Sequence, residues 1–214
     1  MRPKVALDRL AEIQRVAETT TLYTLLPGPA AIVGGTLVFI GCAVSYFMIR
    51  SADFAQLMSC STGYRVFFLG MWTTIGAIAV GQEMIFANRD ARRKGIALYG
   101  RPGKLSALSL TPNIFIAIVL TIQLFIDADS ETAGRFVRYI TPIWMMCYGT
   151  GVYAAGLFSV RLPRLLGISF IIMGAAGLLF FAKYGLLLVA LSFGLLHIIF
   201  GMAVLNRIKH NQEP

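Results

Sequence analysis

Long apolar blocks alternate along the chain with short charged clusters. Six intervals carry no charged residue: 19–49, 66–82, 105–126, 139–160, 165–182 and 184–206. Crossing a bilayer takes about 20 apolar residues in a helix, so each interval predicts one span. The second is short unless it runs through Glu83 to about Ala87. Pro27-Gly28-Pro29 interrupts the first, whose helix is expected to start near Ala30, with 19–26 at the interface. Thr111-Pro112 is expected to cap and open the third helix, because proline is tolerated at a first helical position. Only Lys183-Tyr184-Gly185 separates the last two spans, which predicts a tight antiparallel hairpin.

The expected fold is all-α: a polytopic transmembrane bundle of six spans. Residues 1–29 form a cytoplasmic or interfacial segment, 30–206 the membrane domain, and 207–214 a cytoplasmic tail. Residues 4–18 predict a short helix with Ala6, Leu10, Ile13 and Ala17 at three- and four-residue steps. Its apolar stripe is thin and flanked by both signs of charge, as in a helix lying on a membrane surface or leading into it. A signal peptide runs from a few basic residues straight into an apolar core; the mixed charges of 1–18 do not, so this stretch is expected to be retained.

Composition agrees with the pattern. The chain is 57% hydrophobic and 14% charged, with mean hydropathy +0.73. A soluble domain carries about 25% charged residues, so this chain has too little polar surface to cover a water-soluble globule. Its net charge of +9 would suggest nucleic acid in a soluble protein. In a membrane protein the same charge marks cytoplasmic loops, and no nucleic-acid partner is expected.

With both ends placed inside, the only basic residues outside are Arg50, Arg65, Arg135, Arg138 and Lys183. The acidic stretch 127–131 falls outside as well. Both termini are therefore expected in the cytoplasm and the chain in the cytoplasmic (inner) membrane. The inner connection 89–104 is the most basic, with Arg89, Arg92, Arg93, Lys94, Arg101 and Lys104 against Asp90. It is read first as a topology determinant, with anionic lipid or an acidic partner as the sharper alternative.

Within the spans, small residues stand where helices would meet, since membrane helices associate through close packing rather than through exclusion of water. Gly194, His197 and Gly201 recur at three- and four-residue steps, which predicts one shared face. Gly76, Ala79 and Glu83 do the same in the second span. These faces are the expected helix-packing surfaces, within the chain or against a second copy or protein partner. A polar side chain on such a face needs a partner, because an unpaired one in an apolar medium costs several kcal/mol. Glu83 and His197 both fall in the inner half of the bundle and form the candidate intramembrane polar pair.

Other chemistry is poorly supported. No HExxH, GxSxG or Walker A pattern is present, and no catalytic residue is assigned. Cys42, Cys60 and Cys147 lack metal-type spacing. Haem or copper at His197, with Met145, Met146 or Cys147, is chemically allowed. Consecutive helical residues point in different directions, however, so no cofactor and no metal is expected.

Two stretches, 10–22 (LAEIQRVAETTTL) and 184–201 (YGLLLVALSFGLLHIIFG), resemble an uncharacterised family of bacterial membrane proteins. The resemblance implies six spans, a short charged N-terminal helix and a final span with Gly-x-x-His. Some members look to be encoded near winged-helix transcription regulators. It implies no activity. The function expected from the residues is an accessory, anchoring or regulatory membrane component without catalytic machinery. The alternative is a small-solute or ion transporter, proton-coupled through Glu83 and His197.

Overall fold

The computed structural model describes residues 9, 27–93, 101–126, 131–157 and 161–210, and all regular structure among them is helical. The first long helix, α1, is Gly28–Ile49; a short α2, Ala55–Met58, leads to α3, Thr62–Arg93. α4 is Arg101–Ile126. The short α5, Glu131–Phe136, runs through a 3₁₀ turn, Val137–Tyr139, into α6, Ile140–Gly156. α7, Arg161–Ala176, continues into a π-helical segment, Gly177–Phe181, and the 3₁₀ turn Ala182–Tyr184 follows. α8, Gly185–Val189, passes through a second π segment, Ala190–Leu196, into α9, His197–His210.

Four stretches are long and apolar enough to cross a membrane: Gly28–Ile49, Thr62–Arg93, Lys104–Ile126 and Arg161–Arg207. The fourth is folded back on itself. The Phe170 ring lies 4.9 Å from Phe193, and a Cβ on Gly177 would meet Leu188 at 2.9 Å. Its two arms are therefore antiparallel, and the reversal falls at 182–184, where the hairpin was expected. Large apolar side chains stand open on the outside of the bundle; Ile126 is 72% and Phe180 74% exposed. Water does not support such a surface over several helices, and this marks the chain as a membrane protein.

Two helix boundaries differ from expectation. α4 begins at Arg101 and carries Pro112 in its interior instead of starting there. Proline supplies no N–H to the carbonyl four residues back, that of Leu108, and side chains on either side of it bond the adjacent carbonyls. Thr111 Oγ1 donates to the Ala107 carbonyl at 2.8 Å, and Asn113 Nδ2 to that of Ser109 at 2.9 Å. The second difference is length. α3 extends to Arg93, so Arg89, Arg92 and Arg93 sit on helix rather than in a loop, with Arg92 and Arg93 in its last turn. Cations there complement the negative end of the helix dipole. Lys104 likewise lies within α4, near its start. Apart from Arg9, the expected N-terminal helix at 4–18 lies outside the described residues, as do Lys94, the acidic residues 127–129 and the stretch 211–214.

Glycine sets how closely the helices approach. A Cβ on Gly28 would meet the Gly201 carbonyl at 2.7 Å, and one on Gly35 that of Gly194 at 2.6 Å. α1 therefore runs antiparallel to the chain's last helical arm in backbone contact. α6 and α7 do the same through Gly149 and Gly167, where a Cβ would meet the facing carbonyl at 2.8 and 2.7 Å. α3 leans on α1 through larger groups. Trp72 Nε1 donates to Ser45 Oγ at 3.1 Å, and Gln82 Nε2 to the Ala30 carbonyl at 2.8 Å.

The rim at α2 is tied by polar bonds. The Arg138 guanidinium grips Asp53 with Nε at 3.0 and 3.1 Å and a second nitrogen at 2.8 Å. That hydrogen bond raises the arginine above its already high ordinary value. Asp53 also accepts from the Ala55 N–H at 2.9 Å, and the Leu186 N–H bonds the Ala52 carbonyl at 3.1 Å. Cys42, Ile49, Phe54, Leu57, Phe68, Val137 and Leu186 form an apolar cluster behind this rim. A separate cluster around Phe170, Met145 and Phe200 fills the region between α6, α7 and α9.

Candidate functional site

His197 opens α9 directly after the π segment, and its surroundings follow from that position. A π segment widens the helical turn, so carbonyls there lose the donor four residues on. The His197 Nδ1 lies 3.4 Å from the Ser192 carbonyl, five residues back. A carbonyl only accepts, so Nδ1 carries the ring proton and Nε2 keeps its lone pair. Tyr148 Oη lies 2.8 Å from Nε2 and donates to it. Ser192 Oγ donates in turn to the Leu188 carbonyl at 2.6 Å. Both ring nitrogens of a buried histidine are thereby engaged.

Aromatic rings close the remaining sides. Phe193 stacks on the imidazole at 6.1 Å and 13°, Phe170 meets it edge-on at 5.3 Å, and the Tyr148 ring lies 5.5 Å away. Phe170 also packs against both Tyr148 and Phe193 at 4.9 Å. The cage is apolar except where the Tyr148 hydroxyl and the Ser192 carbonyl enter it.

The Gly194–His197–Gly201 face divides in two. Gly194 and Gly201 pack against Phe39, Gly28 and Ile32 of α1. His197 instead reaches Tyr148 of α6 and Phe170 of α7. The expected face on α3 also differs. A Cβ on Gly76 would have nothing within 4 Å, as at Gly70 and Gly81, and Ala79 is half-buried. α1 meets α3 beside these residues, through Trp72, Ile75 and Gln82.

Glu83 is half-buried on α3 and forms no hydrogen bond or ion pair with His197 among the described residues. The helix contacts still bring the two to similar depth. Gln82 reaches Ala30 and Gly34 on α1, while Gly194 and Gly201, on either side of His197, meet Gly35 and Gly28. The histidine's direct partners, Tyr148 and the Ser192 carbonyl, were not singled out from sequence. The Ser192 spacing of five belongs to a π turn, and a search on α-helical steps passes over it.

Met145 and Met146 meet Gly174 of α7. Among the described residues no three His, Cys, Asp or Glu side chains gather as a metal-binding group. Of the basic set, Arg89, Arg92, Arg93 and Lys104 are exposed. Two hollows of about 400 and 420 Å³ open on the apolar surface of α3, lined by Phe67, Gly70 and Thr74 and by Met48, Gly63 and Tyr64. Compared with known proteins, the chain matches no family, no curated protein and no solved structure.

Proposed function

We propose that the chain is a six-span protein of the cytoplasmic membrane with both termini inside, acting as an accessory, anchoring or regulatory component through lateral helix contacts. Six crossings follow if α6 and each arm of the folded-back stretch span the bilayer alongside α1, α3 and α4. One observation carries the interaction reading. Elsewhere in the bundle glycine lets backbones touch, but Gly70, Gly76 and Gly81 of α3 face open space. Gly70, Thr74, Ala77 and Gly81 follow three- and four-residue steps and are all exposed. A smooth stripe of this kind on a membrane helix suits close approach by a second helix, from a partner protein or another copy.

Co-purification from gentle detergent tests the reading. The native chain is expected to elute with a partner or as an oligomer, and leucine at Gly70 and Gly81 is expected to release it as a folded monomer. A monodisperse monomer without a partner, unchanged by those substitutions, would refute it. A second reading, a proton-coupled carrier of a small solute or ion, draws on the Tyr148–His197 bond with Glu83 at similar depth. It predicts acid-driven uptake into proteoliposomes that His197→Gln abolishes.

A further inference from the structure

We propose that the end of the bundle at Arg50 and the 182–184 turn binds the phospholipid phosphates of one membrane leaflet, with the Arg50 guanidinium as the main contact and exposed aromatic rings seated beside it.

Arg50 ends α1 on a left-handed backbone. Its φ is 54°, the only positive value outside glycine among the described residues, and its N–H bonds the Tyr46 carbonyl at 2.7 Å. Helices that end this way usually place glycine there, because a Cβ strains that backbone. A cation does complement the negative end of the helix dipole. One in the last turn would do so without the strain, and α1 has none there. The side chain at this strained position therefore has a use beyond ending the helix. Arg50 is exposed, with its guanidinium 5.8 Å over the Phe47 ring, and no acidic partner meets it among the described residues. Asp53, the nearest carboxylate along the chain, is held by Arg138. The planar fork of a guanidinium matches the oxygens of a phosphate.

The surroundings mark that phosphate as a lipid's. Exposed ring pairs stand on three elements at this end: Tyr46 with Phe47 on α1, Phe136 with Tyr139 where α5 passes into α6, and Phe180 with Phe181 before the turn. The Asp53–Arg138 pair, the Ala52–Leu186 bond and the Phe54 ring against Gly185 tie these elements together at one level. Lys183 and Tyr184, both exposed, stand in the turn itself. Rings at one depth on several elements suit the interfacial layer of a bilayer, where aromatic side chains concentrate. The opposite boundary agrees. At about 1.5 Å rise per residue, a hydrocarbon core of about 30 Å takes about 20 residues. Counted back from Phe47 and Phe181, that distance reaches the starts of α1 and α7, at Gly28 and Arg161.

The inference needs the membrane but neither six spans nor a partner on α3, so it fails separately from those readings. Two measurements on the full chain test it. The first uses fluorotyrosine in nanodiscs of equal parts phosphatidylcholine and phosphatidylglycerol, with the signals assigned by Tyr46→Phe and Tyr184→Phe. Nitroxides on the lipid headgroup are expected to broaden both signals more than nitroxides at the acyl-chain ends do. The second compares Arg50→Gly with the native chain, in maltoside micelles that carry no phosphate and in the same nanodiscs. Glycine accepts the left-handed backbone, so the thermal midpoint is expected to hold or rise in maltoside. In the nanodiscs the phosphate contact is lost, and the midpoint is expected to fall.

Stronger broadening from the chain ends would overturn the proposal. So would tyrosines shielded from both nitroxides, as under a protein partner, or an Arg50→Gly effect that is the same in the two media.

Discussion

The glycines of this bundle divide into two groups that respond oppositely to the same small change. Gly167 lies in backbone contact with α6: an added methyl would stand 2.5 Å from the Tyr153 nitrogen, 2.7 Å from the Gly149 carbonyl and 2.8 Å from the Tyr153 Cα. Ordinary carbon contacts lie near 3.5–4.0 Å, so the two helices must part by about 1 Å. None of these neighbours is a side chain that can swing away. Overpacking typically costs about 1–3 kcal/mol, and a rigid backbone neighbour puts Gly167→Ala toward the upper end. Gly76 on α3 meets nothing within 4 Å. There the methyl costs no space, and alanine gains up to about 1 kcal/mol in helix propensity. Thermal unfolding of the purified chain in detergent, followed by loss of the soluble fraction, compares the two. Gly167→Ala is expected to lower the midpoint, and Gly76→Ala to hold or raise it. Equal midpoints, or a Gly76 variant less stable than Gly167→Ala, would show that backbone contact does not set the packing.

Two further outcomes follow from polar bonds already described. Asp53→Asn keeps the shape of the rim but removes the charge that Arg138 grips. With Asp53 16% and Arg138 34% exposed, solvent screens the pair, and the loss is expected to be about 1 kcal/mol or less. Detergent unfolding should show a small shift that shrinks further in high salt; a salt-independent loss of several kcal/mol would contradict this. Pro112→Ala restores a backbone donor for the Leu108 carbonyl in the interior of α4. It is expected to leave the fold unchanged and to raise the unfolding midpoint or leave it in place. A large drop would mean that the bundle needs the proline.

The apolar helices were legible because the bilayer demands length, and length is visible as an absence of charge. The reversal at 182–184 was legible for the same reason, since only Lys183-Tyr184-Gly185 separates two apolar runs. Pro112 misled because a proline inside a membrane helix looks in sequence like one that opens it, and α4 in fact begins eleven residues earlier, at Arg101. The π segment misled more deeply. It departs from the 3.6-residue step, so the Ser192 carbonyl meets the His197 ring at a five-residue spacing that an α-helical reading passes over. Tyr148 was hidden in another way. One phenol in an apolar helix is unremarkable until the facing helix brings an imidazole to it.

Chain order gives the packing of α1 a further meaning. α1 is synthesised before every other long helix described, yet its closest backbone contacts are with Gly194 and Gly201 of the final arm. Its rim is fastened no sooner, because Asp53 waits for Arg138, 85 residues further on. Through most of synthesis α1 therefore stands in the lipid with its glycine face uncovered, held mainly by the side chains it shares with α3. The finished bundle closes head to tail, and an interruption late in the chain would undo the packing of its beginning.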